Sequence, residues 1–216
     1  MSFWKDLPTY SGPTTFGVSL WDKLGQEQTS GGWVAGLDMR TYKLNNDYIL
    51  TNKSYGGQPL ETVSVYFLSW KVDDVSKVTY QTLRGYNFFM TSEFTGCRFV
   101  VTNVGVAHVA WSAGGNRATG NASQNKRDLA EFDSLGYGTE RPVYRRKLSL
   151  SGTKGVLDTS LEKVNTDNVT QSYNDESAMV FGYRVQGGWA FKVIRYASNA
   201  GSNTGTWSNF ACCWSI

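Results

Sequence analysis

Short runs in which apolar and polar residues alternate recur along this chain, and they confine it to a β-rich architecture. The clearest spans Thr62 to Val72, with Val63, Val65, Phe67 and Ser69 on one face. A period of two marks a strand with one buried face, because successive side chains leave a strand on opposite sides. Further runs read as strands at Trp33–Met39, Tyr48–Asn52, Arg98–Thr102, Val106–Trp111, Ala178–Val185, Trp189–Ala197 and Thr206–Cys213. Eight Trp, twelve Tyr and 23 Gly against four Pro agree with strands joined by many tight turns. Lys77 to Thr91 is ambiguous: Val78, Tyr80 and Phe88-Phe89 suit a strand, whereas Leu83 and Met90 permit a helical turn. Asn125 to Leu135 reads as a short helix, residues 112–127 and 198–203 as loops, and residues 151–178 as polar and less regular. The first thirty residues form an amphipathic arm in which Phe3, Trp4, Leu7, Phe16, Leu20 and Trp21 are available to pack. The expectation is an α+β fold. Residues 1–216 form a single domain with a central sandwich of two mostly mixed β-sheets, flanked by short helices and long loops.

A domain of 216 residues that is 40% hydrophobic can bury a sizeable core without disulfides or metal. The net charge of +3 is too weak to argue for nucleic acid or a membrane surface as partner. No apolar run approaches the length of a membrane span, and the opening stretch Met1–Pro13 lacks the apolar core of a secretory signal peptide. Synthesis in a cytosol is expected, with any export left to other machinery. Cys97, Cys212 and Cys213 are an odd count, and the adjacent pair is poorly placed to bridge. Reduced thiols are therefore expected, with Cys212 and Cys213 structural residues of the last strand. The spacing matches no zinc site, and no cofactor or metal is implied. His108 is the sole histidine. That excludes a multi-histidine metal site and leaves one imidazole for any acid–base work.

Cys97 and His108 lie eleven residues apart. Gly96 permits a sharp turn that presents the thiol at the mouth of the following strand, and backbone N–H groups at such a bend are natural oxyanion donors. A thiol becomes a good nucleophile only beside a group that stabilises its thiolate, and His108 is the obvious candidate. If the two strands form a hairpin with a two-residue turn, His108 faces Val101. Cys97 then shares its face but lies roughly 13 Å along the strand. The plainer reading is a small core cysteine and a satisfied core histidine, since both lie among apolar residues.

The segment Phe88-Phe89 … Thr91 … Phe94-Thr95-Gly96-Cys97 … His108 resembles the active-site stretch of the Burkholderia lethal factor-like glutamine deamidase toxins. These belong with the catalytic domains of cytotoxic necrotizing factors and the bacterial chemoreceptor glutamine deamidases. The family marker Leu-Ser-Gly-Cys stands here as Phe94-Thr95-Gly96-Cys97, with a bulky apolar residue and a hydroxyl kept in place. Thr91 sits six positions before the cysteine, where these toxins carry a threonine, and Leu68-Ser69-Trp70-Lys71 is similar to their Leu-Pro-Trp-Lys stretch. The tail from Phe181 to Ser208 matches loosely; residues 1–30 and 115–175 do not match. The resemblance implies a protein-glutamine deamidase with Cys97 as nucleophile, His108 as base, Thr91 orienting the imidazole, and the loop Phe94, Thr95 and Gly96 helping to form the oxyanion hole. It implies a monomer made in a bacterial cytoplasm and secreted or injected into a host cell. The partner is then a host protein presenting an exposed glutamine; related enzymes modify Rho-family GTPases, a translation-initiation helicase or chemoreceptors.

Two other functions fit the residues. The same dyad serves a transglutaminase or a cysteine peptidase, which differ in what resolves or receives the acyl group. A Trp- and Tyr-rich sandwich can instead be a non-enzymatic module that stacks carbohydrate on exposed aromatics. Trp33, Trp70, Trp111, Trp189 and Trp207 mostly fall in expected strands, which makes them core candidates first. Residues 112–124, residues 198–205 and the basic run Arg141–Lys147 are candidate docking elements, but solvated loops and a charged face explain them as well.

Overall fold

The computed structural model describes residues 2–20, 36–71, 74–94, 97–110, 129–136, 146–151, 169–172, 177–196 and 205–214. Fourteen strands run through them: β1 (Gly12–Pro13), β2 (Val18–Leu20), β3 (Leu37–Leu44), β4 (Asp47–Thr51), β5 (Glu61–Leu68), β6 (Val75–Thr79), β7 (Phe88–Thr91), β8 (Arg98–Thr102), β9 (Gly105–Val109), β10 (Arg146–Ser151), β11 (Val169–Ser172), β12 (Ser177–Val185), β13 (Gly188–Tyr196) and β14 (Gly205–Trp214). Among the described residues helix is confined to short pieces: α1 (Phe3–Asp6), a 3₁₀ turn (Leu7–Thr9), α2 (Tyr80–Leu83) and α3 (residues 129–135).

Nine strands form one sheet in the order β1-β14-β13-β12-β7-β5-β3-β4-β2, and five form a second in the order β11-β10-β8-β9-β6. Both are mixed. β5 runs parallel to β7, β2 to β4 and β10 to β11, while the other pairs are antiparallel. The chain therefore forms the α+β sandwich of two mixed sheets that its alternating runs predict.

Each face of the large sheet is covered. Tyr66, Leu68, Phe89, Val180 and Phe191 meet Val78, Phe99, Val101 and Val106 of the small sheet in one core. On the opposite face, Val65, Phe67, Met90, Phe181 and Ile194 pack against Phe3, Trp4 and Leu7 of the N-terminal arm. This double cover explains β5: its first half alternates in burial, and its last four residues are buried throughout. The arm is tied down by polar bonds as well. The buried Lys192 ammonium donates to the Pro8 carbonyl at 2.7 Å and to that of Tyr10, and Trp4 Nε1 donates to Thr41 Oγ1 at 3.1 Å. A third, smaller core lies behind the small sheet, where Val100, Ala107 and Val109 take Leu135 of α3.

The ambiguous stretch Lys77–Thr91 resolves into strand, helical turn and strand. Thr79 ends β6 and caps α2, its hydroxyl accepting from the Thr82 N–H at 3.2 Å. Residues 125–128, ahead of α3, and Trp21, Trp33 and Trp111 lie outside the described residues. β10 and β11 were not expected from the sequence. β10 pairs with β8 and carries β11 on its other side, so backbone pairing to an existing edge holds them. Leu148-Ser149-Leu150-Ser151 of β10 does alternate, a signal that could have marked it as a strand, whereas the polar Val169–Ser172 of β11 gives little sign.

Candidate active site

The hairpin of β8 and β9 decides where Cys97 and His108 stand. Its last pair is Val101 with Val106, so Thr102 to Gly105 makes a four-residue turn, and His108 faces Phe99 instead of Val101. This corrects the two-residue turn expected above. The Thr102 hydroxyl builds the turn: it accepts from the N–H of Val104 at 3.2 Å and of Gly105 at 3.0 Å, and donates to the Gly105 carbonyl at 2.8 Å. A shift of two residues keeps every side chain on its face but halves the separation along the strand. Cys97, one residue before β8, is then two residues along the chain from Phe99, the residue that faces His108. The half-buried thiol packs against the core between the sheets, the side that also carries Phe99. Gly105 makes this register possible, because a Cβ there would stand 2.0 Å from the Val78 carbonyl oxygen of β6. Gly105→Ala is expected to lower stability by about 3 kcal/mol in chemical denaturation, since neither backbone can move aside alone.

Thr91 reaches His108 from the other sheet. It ends β7 beside Leu68, the last residue of the parallel strand β5, and its side chain crosses the core between the sheets. Its hydroxyl lies 2.6 Å from the Leu68 carbonyl oxygen and 2.8 Å from His108 Nδ1, all within the buried core. A hydroxyl has one proton. The carbonyl can only accept, so Thr91 donates to Leu68 and accepts from His108. The imidazole is thereby held with its proton on Nδ1 and a lone pair on Nε2. Nε2 is buried and has no hydrogen-bond partner among the described residues. Most buried side-chain polar atoms have a partner, and His108 Nε2 is one of several among the described residues that do not.

Burial sets the charge of the ring. His108 is fully enclosed, and desolvation of its charged form pushes its pKa down to about 3. At neutral pH it is a neutral acceptor. Phe94 covers one face of the ring, stacked at 4.3 Å between centroids and 16° between planes. Two hydrogen bonds fix Phe94 in turn, from its N–H to the Ala178 carbonyl at 2.8 Å and from the Ala178 N–H to its own carbonyl at 3.0 Å. Of the expected site residues, the structure brings Thr91, Phe94 and His108 into contact, while Cys97 lies on the same side of the sheet and His108 Nε2 makes no hydrogen bond to its thiol. Thr95 and Gly96, expected in the oxyanion loop, lie outside the described residues, as do residues 112–124, 198–204 and 141–145 of the candidate docking elements.

One pair beside the site was not read from the sequence. Arg98, next to the thiol, points to the back of the small sheet and meets Glu131 of α3 at 2.5 Å, with both side chains fully buried. Nothing in a strand-like run beginning with arginine tells that the charge goes inward. Glu131→Gln is expected to lower stability by about 3–5 kcal/mol, because it strands the Arg98 charge. The double variant Arg98→Met/Glu131→Leu is expected to recover most of that loss in the same denaturation experiment.

Among the described residues no three His, Cys, Asp or Glu side chains gather as a metal site, and no helix is long and apolar enough to cross a membrane. Searches against protein-family models and against curated proteins return no match to the chain.

Proposed function

We propose that this chain is a protein-glutamine deamidase that works through a cysteine thioester. The observation that carries the reading is the buried, unpartnered Nε2 of an imidazole held in one tautomer, on the face that also carries Cys97. As the Cys97 sulfur attacks the side-chain carboxamide carbon of a glutamine, its proton passes to His108 Nε2. The tetrahedral adduct collapses with loss of the C–N bond. Ammonia leaves with the proton from the imidazolium, and a thioester remains. His108 then takes a proton from water, whose oxygen attacks the thioester carbonyl, and glutamate departs as the thiol is restored.

The low basicity of the isolated imidazole does not forbid this. A neighbouring thiolate favours the imidazolium, so the pair ionises together where the ring alone resists charge. The thiol is half-buried, which leaves it open to a substrate, whereas the imidazole is fully enclosed. The resemblance of residues 60–110 to the lethal factor-like toxins supports a bacterial toxin or effector acting on a host protein. Of the tryptophans that could serve an aromatic sugar-binding face, Trp189 and Trp207 are spent in cores, Trp70 is half-buried, and Trp33 and Trp111 lie outside the described residues.

The test is mass spectrometry of host-cell proteins incubated with the chain, in the presence and absence of a primary amine. Conversion of a defined glutamine to glutamate supports the reading. Incorporation of the amine in preference to water moves the assignment to a transglutaminase, and no modified glutamine in any condition removes it.

A further inference from the structure

Resting on the Cys97–His108 reading above, we infer that Phe94 is a positioning residue, whose stacked ring holds the His108 imidazole in the plane that aims Nε2 at the Cys97 side. The Thr91 hydroxyl fixes one atom of the imidazole, Nδ1. One hydrogen bond leaves the ring able to swing about that contact, and a swing carries Nε2 away from the thiol. The near-parallel ring of Phe94 at 4.3 Å closes one side to that motion. Phe99, opposite His108 on β8, and Ser76, opposite it on β6, stand on its two flanks.

Phe94 is itself held on two counts. Its backbone is bridged to Ala178 at the head of β12, and its ring meets Phe99 edge-on at 6.1 Å. The bridge ties the chain just before Cys97 to the large sheet. Base and nucleophile are thus referred to the same anchor, although His108 belongs to the small sheet.

The charged groups on the elements packed around the ring are turned away from it. Of the neighbouring groups that titrate, Cys97 shares the face of His108. Glu93 is exposed to solvent. Lys77 of β6 turns to the back, where its ammonium donates to the Ser134 carbonyl of α3, and Arg98 of β8 turns there to Glu131. Tyr66 and Tyr80 share the core between the sheets; the Tyr80 hydroxyl donates to the Thr102 carbonyl, and burial raises the Tyr66 pKa above that of an exposed phenol. Replacing the ring by an aliphatic side chain is expected to loosen the enclosure of the imidazole.

Because His108 is the sole histidine, its ring signals are unambiguous in NMR of protein carrying ¹⁵N-histidine. The wild type is expected to show ring protons moved upfield by the Phe94 ring current, and nitrogen shifts of a single Nδ1–H tautomer. In Phe94→Leu the upfield shift should vanish, the tautomers should mix and the ring should titrate closer to the usual histidine range. Alkylation of Cys97 by iodoacetamide at neutral pH should fall roughly ten- to a hundredfold. Phe94→Tyr, which keeps the ring, should restore both signals and rate. A wild-type imidazole without the upfield shift, or a Phe94→Leu protein with unchanged tautomer, titration and alkylation, overturns the inference. Should Phe94→Leu not fold, the wild-type spectrum and Phe94→Tyr decide. None of these readouts involves glutamine, so a failure of the deamidase reading alone leaves them as expected and shows only in the deamidation assay.

Discussion

Replacing Cys97 by serine is expected to lower glutamine deamidation by on the order of 10⁴-fold or more, and combining it with His108→Ala is expected to lower it no further. The proposed reaction needs a sulfur nucleophile and one base to take its proton. A serine hydroxyl is far less acidic than a thiol, and an imidazole whose basicity burial has lowered does not activate it, so the second substitution removes an already idle group. The thiol is half-buried and the exchange is nearly isosteric, so the denaturation midpoint of Cys97→Ser should correspond to a change within about 1 kcal/mol. Rates from quantitative mass spectrometry and midpoints from urea unfolding check the two halves separately. Substantial turnover by Cys97→Ser, or a double variant markedly worse than both single ones, would sink the dyad.

The second large effect is on stability in weak acid. Burial lowers the His108 pKa from its ordinary 6.5 to about 3. Between these two values the unfolded chain holds a proton that the folded chain does not, so stability rises with pH across that window and levels off above it. At its steepest the slope is about 1.4 kcal/mol per pH unit, and the loss by pH 3 is on the order of 5 kcal/mol. The useful window lies between about pH 5 and 6.5, above the ordinary carboxylate range. There the sole histidine is the one side chain of this chain whose ordinary pKa falls in range. Asp74, lowered further by its hydrogen bond from Lys71, stays ionised throughout. His108→Gln keeps an N–H for the Thr91 hydroxyl but cannot take up a proton, so its stability should be flat across the window. A wild type that is equally flat, or a variant with the same slope, would show that His108 is not buried as a neutral ring.

Much of the architecture is legible in the residues, and much of the site is not. The alternation around Val63, Val65 and Phe67 announces β5, and the runs at Arg98–Thr102, Ala178–Val185 and Trp189–Ala197 fall on β8, β12 and β13. Phe3, Trp4 and Leu7 signal an arm that packs. Leu148 and Leu150 alternate with serines in β10 and mark it only briefly, and the polar β11 leaves less trace, because it joins the edge of β10 through backbone groups that every residue carries. Residue type, spacing and resemblance single out Cys97, His108 and Thr91, but a two-residue turn sets His108 opposite Val101, two residues from its place opposite Phe99. The difference arises at Thr102, whose hydroxyl turns a chain section that reads as a tight Val104-Gly105 turn into a four-residue one.

By itself, then, the sequence determined the material of this protein: a β-rich chain with one imidazole, one cysteine behind a glycine and a threonine six residues before it. These are local facts, and period and composition carry them. The tertiary structure alone decided that the threonine of one sheet meets the histidine of the other. It also decided that the ring rests neutral under Phe94 and that Arg98 is turned away from the thiol towards Glu131. Each of these depends on which strand lies opposite which and in what register. Register is settled by the joint packing of two sheets, an arm and a helix, and no single stretch of chain encodes it.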